Sequence, residues 1–462
     1  MDFVDLKGCK YYYRWVQIER YIMAKKTSSK VNNAYKDITA RMLNFIDESP
    51  TCFQVIDNLK KRLVAEGYEE LDEAKEWKLA PAKSGKGGKY FVTRNDSSII
   101  SFSIPKKDFK GFYMIASHSD SPSFKIKENP EMEVPGAYIK LNVEKYGGML
   151  CAEWFDRPLS VAGRLIVKGK NGKAETRLVN VDKDLLMLPA LAIHMNREAN
   201  DGYKYNAQKD MLPIFGDDSA KDKFFEVVAK AAGVKAGDIL GHDLFLYNRV
   251  KPTVWGASDE YIASSRLDDQ ECVYTTFEGF MNAGASDNVA VHCVFDNEEV
   301  GSGTKQGAAS TFLKDTLTRI NESLGRTNEQ YYTAVAQSFM ISADNAHAIH
   351  PNNLDKADPV NRPVMNKGIV IKYNANQRYT TDAVSAATFK MMCDKAGVPY
   401  QSFTNRSDMP GGSTLGNIST SQVAVNTVDI GLAQLAMHSP YETAGSRDPE
   451  YLAAVSQVFY ES

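Results

Sequence analysis

The chain has 462 residues, of which 43% are hydrophobic and 24% charged, with a formal net charge of -3. That balance belongs to an ordinary globular protein and excludes disordered and fibrous classes. It also leaves no broad basic surface for nucleic acid, and no apolar run reaches the roughly 20 residues of a membrane-spanning helix. Six scattered cysteines (Cys9, Cys52, Cys151, Cys272, Cys293, Cys393) form no Cys-x-x-Cys pair. This argues for reduced thiols and a cytoplasmic protein rather than a disulfide framework.

Met1 to Arg20 is rich in tyrosine and charge and lacks the apolar core of a signal peptide. Met23-Ala24-Lys25-Lys26 resembles a second translation start, so residues 1–22 are expected to be an upstream extension. From Tyr35 to Gly67 apolar residues recur at helical spacing, and Ser49-Pro50-Thr51 divides the stretch into two helices with Thr51 as a cap. Lys83 to Gly88 reads as a loop. Strands are expected at Tyr90–Thr93, Ser98–Ile104 and Phe112–Ala116, the last running into Ser117-His118-Ser119-Asp120.

From about Phe124 to Trp255 the pattern changes to alternating segments: Ala137–Val143, Leu159–Lys168, Ala174–Val181 and Asp243–Val250. A helix is expected near Lys221–Ala232, and the apolar run Leu185–Met195 reads as core. After Asp259 helices and strands alternate again. Helices are expected after Asp268-Asp269, from Gly307, and over Ala383–Ala396. Strands are expected up to Phe295 and over Thr333–Ser342, Gly368–Tyr373 and Val423–Gly431. The simplest architecture is α/β. A discontinuous outer domain, residues 23–123 plus 259–462, carries a mixed or largely parallel sheet, and residues 124–258 form a β-rich insert.

Candidate chemistry gathers at strand ends. Asp296-Asn297-Glu298-Glu299-Val300-Gly301-Ser302 follows the apolar run Val289–Phe295. The carboxyl edge of an open α/β sheet is where sites form, although a solvated acidic turn would look the same locally. His118 ends another strand, and Asp120 two residues on can orient its ring. Asp268 enters a helix, where it is either an N-cap or a carboxylate bridging two metals. Asp344 ends a strand with His347 and His350 close behind, and His438 follows the near-apolar Leu432–Met437. His194, His242 and His292 read as structural. Together His118, Asp268, Glu299, Asp344 and His438 offer two imidazoles and three carboxylates. That donor mix suits two zinc-like ions sharing one carboxylate, with Glu298 free for proton transfer.

These residues sit in longer segments. They are Ala116–Pro122, Glu153–Leu159, Leu191–His194, Ser265–Asp268, Asp296–Ser302, Ser342–Asn352, Gly368–Lys372 with Gln377–Tyr379, and Gln434–Ser439. In order and content they resemble the aspartyl aminopeptidase family of dinuclear zinc exopeptidases. The resemblance implies an α/β/α metallopeptidase domain with an inserted dimerisation domain. It implies two Zn(2+) per subunit, with cobalt or manganese as substitutes. His118 and Asp344 would serve one ion, Glu299 and His438 the other, and Asp268 both. Asp120 would orient His118, and Glu298 would be the general base. His347, Lys372 and Tyr379 match substrate-contacting positions, with Lys372 suited to pair with an acidic N-terminal side chain. His194 matches a histidine that reaches a neighbouring subunit's active site. Peptide substrates, dimers and tetrahedral dodecamers are implied as well. Asp269 stands where many members carry Asn, and Pro158 where an acidic residue is common; neither removes a ligand. Two rival readings remain: a dinuclear amidase or deacylase on the same scaffold, and a non-catalytic assembly protein.

Overall fold

The computed structural model describes residues 35–81 and 88–462. The expected extension 1–22, the alternative start at Met23 and residues 83–87 of the first loop lie outside them. Nine strands form one mixed sheet. Their order is Glu69–Leu71, Gly88–Arg94, Ser98–Ile104, Val289–Phe295, Phe112–His118, Phe339–Ala343, Asn426–Gly431, Ile369–Tyr373 and Tyr400–Thr404. The four strands from Val289–Phe295 to Asn426–Gly431 are mutually parallel, so their carboxyl ends share one edge.

Alternation along each strand sends neighbouring side chains to opposite faces. Phe112, Met114, Ala116, Val291, Cys293 and Phe295 join one core, beneath helices Phe312–Ser323 and Asn328–Ala336. Ile115 and Val294 face the other core. Helices 35–47, Cys52–Ala65, Leu267–Asn282, Ala383–Ala396 and Asp448–Tyr460 cover that side. The result is an α/β/α sandwich built from sequence on both sides of the insert.

Six strands between residues 123 and 248 form a separate antiparallel sheet. It has its own core around Phe124, Trp154, Leu165, Phe224 and Leu244. Gln54 Nε2 donates to the carbonyls of Gly163 (3.1 Å) and Val179 (3.0 Å), and Arg164 Nη1 donates to that of Asn95 (2.7 Å), tying this sheet to the larger one. A third, five-stranded sheet contains Tyr261–Ser264, Glu442–Gly445, Ala433–Leu435 and Ala346–His347. Among the described residues, no helix is long and apolar enough to cross a membrane.

Several expected elements differ. Thr333–Ser342 is not one strand: helix Asn328–Ala336 covers its first part, and the strand is Phe339–Ala343. A reciprocal cap between Thr327 and Gln330 starts that helix, overriding the β-branched Thr333 and Val335. The helix expected from Gly307 begins at Phe312, because residues 303–311 fold back so that Ala309 N donates to Ser302 O. Thr51 holds the N-cap position, but its hydroxyl bonds the Gln54 side chain instead of a helix amide. Leu185–Met195 is core only at Leu186 and Leu188. Leu191, Ile193 and Met195 are 55%, 49% and 70% exposed, since among the described residues no strand or helix covers this irregular segment.

His292 is the core residue its mid-strand position implies. It is fully buried between Phe277 and Phe280, and its Nε2 pairs with Thr276 Oγ1 at 3.0 Å. Burial alone pushes it down to about 3. The unfolded chain, with a histidine near the usual ~6.5, therefore binds a proton that the folded chain refuses in the window between these values. Stability contributed by neutral His292 is complete above the unfolded value and is lost as pH falls below it. His292→Phe should remove about 2 kcal/mol of the stability lost between pH ~6.5 and ~5. Urea midpoints at both pH values check this, and an unchanged difference would rule the burial argument out.

Candidate metal centre

The parallel strands deliver the site. His118 is the last residue of Phe112–His118, Asp344 follows Phe339–Ala343, and Glu298 and Glu299 follow Val289–Phe295 through Asn297, whose φ of 63° turns the chain. Asp268 arrives on the first turn of Leu267–Asn282 and is joined to Asp269 by a cis peptide bond. His438, at φ 67°, comes from the loop after Ala433–Leu435.

These side chains converge on Asp268. His118 Nε2 lies 3.4 Å from its Oδ1, and His438 Nε2 lies 3.5 Å from its Oδ2 and 3.4 Å from Glu299 Oε2. Two ligands about 2.1 Å from one tetrahedral zinc stand about 3.4 Å apart, so these spacings suit ligands that share ions better than direct hydrogen bonds. Three groups of donor atoms lie within 4.8 Å of one another: His118 with Asp268, Asp269 and Asp344; His118 with Glu298 and Glu299; and Asp268 with Glu299 and His438. Asp268 belongs to two of them, as a bridging carboxylate would.

Charge points the same way. Asp120, Asp268, Asp269, Asp344, Glu298 and Glu299 crowd this edge, and among the described residues Lys372 sets its ammonium against it, 3.5 Å from Asp344 Oδ1. Asp268 Oδ1, Asp269 Oδ1 and Glu299 Oε1 are buried without a hydrogen-bond partner. Buried carboxylates left bare in this way are costly unless a cation meets them. Burial pushes Glu299 and Asp269 well above the usual carboxyl range. Against its own burial, the adjacent His118 and His438 rings hold Asp268 low. Burial raises Glu298 to about 8, with His118 opposing the rise and Asp344 adding to it.

Asp120 orders the site in two directions. It lies beside His118 Nδ1, which is 3.1 Å from its carbonyl oxygen and 3.5 Å from its Oδ1. Its carboxylate also accepts the backbone N–H groups of Glu298 (3.1 Å) and Glu299 (3.2 Å). Lys372 and Tyr379 are buried together, the ammonium 5.6 Å from the phenol ring, and His347 packs against Phe403. His194 belongs to none of the donor groups; it is exposed on the insert in the uncovered Leu191–Met195 segment.

Two supporting residues escape sequence reading. Glu442 is buried and accepts the backbone N–H of Asp268 (3.0 Å) and of His438 (2.8 Å), fixing two ligands from beneath. Tyr146, from the insert, donates its hydroxyl to Asp120 Oδ2 at 2.7 Å. Neither lies in a motif: Tyr146 arrives by pairing with Ser123, just after Asp120, and Glu442 by pairing with Ser264, just before Asp268. Asp269 has a second task as well, since its Oδ2 accepts the His118 backbone N–H at 3.1 Å.

Comparison with known proteins places the whole of this architecture in one family. The family model described as aminopeptidase I zinc metalloprotease (M18) matches residues 45–460. The chain is 46% identical over 431 residues to the probable M18 family aminopeptidase 2 of Clostridium acetobutylicum, covering 92% of this chain and 98% of that one. It is 41% identical over 434 residues to the protein of the same name from Pseudomonas aeruginosa, with the same coverage of 92% and 98%. Among solved structures, a cryo-EM structure of the Ape4 and Nbr1 complex aligns with TM-score 0.87 at 35% identity, covering 92% of this chain and 86% of that one. A structure of the S. cerevesiae mApe1 dodecamer aligns with TM-score 0.81 at 27% identity, covering 92% and 97%.

Asp120→Asn should lower zinc affinity about 10–100-fold, the usual cost of losing a ligand's orienting partner. Competition with a chromophoric chelator measures it, and wild-type affinity would separate Asp120 from the site.

Proposed function

The chain belongs to the M18 family and is a zinc metallo-aminopeptidase, and we propose that it removes acidic N-terminal residues from peptides at a two-zinc site. The observation that carries the two-ion reading is Asp268, whose two carboxylate oxygens each lie against a different histidine. His118, Asp268 and Asp344 would hold one ion, and Asp268, Glu299 and His438 the other. When bound, such ions supply Lewis acidity to a carbonyl oxygen and to an attacking water.

The remaining work falls to the chain. Glu298 accepts the proton of the attacking water and returns it to the leaving amine. Asp120 holds His118 and, through the amides of Glu298 and Glu299, keeps base and ligand in register. Lys372 supports the acidic preference. It is a buried ammonium at the end of a strand, beside Tyr379 and His347's neighbour Phe403, where a carboxylate side chain would be held in a low-dielectric setting. We assign residues 124–258 to dimerisation and residues 23–123 with 259–462 to catalysis. His194 is placed at the active site of a neighbouring subunit, which gives the exposed Leu191–Met195 segment a partner and is in keeping with the dodecameric assembly of a structural relative. With free thiols at all five described cysteines, we place the protein in the cytoplasm.

Hydrolysis of Asp-, Glu- and Leu-p-nitroanilides, with N-acetylated controls, tests the reading on zinc-loaded protein. Cleavage of free-amine Asp and Glu substrates is expected. Cleavage of the acetylated ones would turn the assignment toward a deacylase, and preference for Leu would discard the acidic specificity. Glu298→Gln should cut kcat about 10²–10⁴-fold while zinc content stays at the wild-type level; retained turnover would remove Glu298 as the base. Lys372→Ala should lower kcat/KM for Asp-p-nitroanilide at least tenfold (about 1.4 kcal/mol) more than for the Leu substrate. Equal losses would reject Lys372 as the specificity residue. In the same assay, wild-type kinetics for His194→Ala would argue against a shared active site.

A further inference from the structure

We infer that the insert segment 146–150 clamps the metal centre and that Tyr146 is a positioning residue for Glu298; this rests on the reading of Glu298 as the base. The geometry begins at one hydroxyl. Tyr146 OH donates to Asp120 Oδ2 (2.7 Å) and accepts from Asn297 Nδ2 (2.8 Å). Asp120 in turn receives the amides of Glu298 and Glu299. Asn297 is the left-handed residue that turns the chain into those two glutamates, and its Oδ1 accepts from Thr304 Oγ1 and Gln306 Nε2, both at 2.8 Å. A single phenol therefore fixes both the carboxylate from which the Glu298 amide hangs and the side chain of the turn before it. Burial, with the Asp120 and Asp296 charges adding to it, pushes the phenol upward, so it remains a donor at neutral pH.

The backbone beyond Tyr146 continues the grip. Gly147 has φ +76°, and a Cβ there would stand 3.2 Å from Glu299 Cβ. A Cβ on Gly148 would meet His438 Nδ1 at 3.8 Å, and Leu150 N donates to His438 O at 3.2 Å. Gly147 thus lets the insert backbone lie against Glu299, while Gly148 and Leu150 bring it against His438, two of the three residues assigned to the second ion. At the other end the Tyr146 ring meets Phe245 edge-on at 5.6 Å, and Phe245 lies on the insert strand Ile239–Asn248. The placement of Glu298 consequently depends on how the insert sits against the outer domain. Ordinary domain packing would also satisfy a buried carboxylate, but it would not require the base to lose effectiveness when only the phenol oxygen is removed.

Tyr146→Phe keeps the ring and removes that oxygen. Compared with the control Tyr138→Phe, at a tyrosine 50% exposed on the same strand, it should lower kcat about 10–100-fold. KM should stay within about twofold and the far-UV spectrum should be unchanged. Wild-type kcat, or a loss confined to KM, would overturn the positioning role. Gly147→Ala should speed zinc release to a chelator about tenfold, and release at the wild-type rate would overturn the clamp. Should the wild-type protein cleave no peptide, the aminopeptidase reading fails by itself. Zinc release from Tyr146→Phe and Gly147→Ala then still decides the clamp, with wild-type rates in both overturning it.

Discussion

Six carboxylates packed at one sheet edge constrain everything around them. Each loses its water on folding, and two imidazoles and one ammonium do not offset that charge. The fold meets the constraint in layers. Backbone amides are spent first: Asp120 takes those of Glu298 and Glu299 and Asp269 that of His118, while a further carboxylate, Glu442, takes those of Asp268 and His438. Lys372 neutralises the Asp344 side. Asp268 Oδ1 and Glu299 Oε1 are left bare, the former 3.4 Å from His118 Nε2, where a cation would complete the balance.

Parallel strands make this crowding possible. Strands Val289–Phe295, Phe112–His118 and Phe339–Ala343 run side by side and finish together. Residues far apart in sequence thereby arrive at one edge on rigid elements, which hold them better than loops could. Above the edge, the third sheet brings His438, Glu442 and His347 down from the opposite side. A cavity of about 400 Å³ lies between insert and outer domain with Asp120 and Tyr146 in its wall. The metal centre is therefore backed by a domain junction instead of a solid core, and the contacts that cross the junction bear on its geometry.

Much of this was legible in the chain. The apolar run into Asp296–Ser302, the His118–Asp120 pair and the Ala383–Ala396 helix all appear where local pattern places them. His292 behaves as a mid-strand core residue for the same reason. Errors arose where two local signals competed. In Thr333–Ser342 β-branched residues suggested strand, while a Thr327/Gln330 cap outweighed them. In Leu185–Met195 apolar composition suggested core, but composition carries no information about which surface is covered, and by what.

The sequence by itself determined which side chains end the strands and which donor types they carry, because strand period and turn chemistry are set by neighbouring residues. Its long ordered segments also pointed to a zinc aminopeptidase, which the comparisons bear out at the level of the M18 family. The tertiary structure alone decided that Asp268 stands between two histidines, that Glu442 supports two ligands from below, and that Tyr146 of the insert reaches Asp120. Those relations depend on strand order and on the docking of one sheet against another. Both are fixed by pairings between whole strands, such as Ser123 with Tyr146 and Ser264 with Glu442, and no local pattern encodes such contacts.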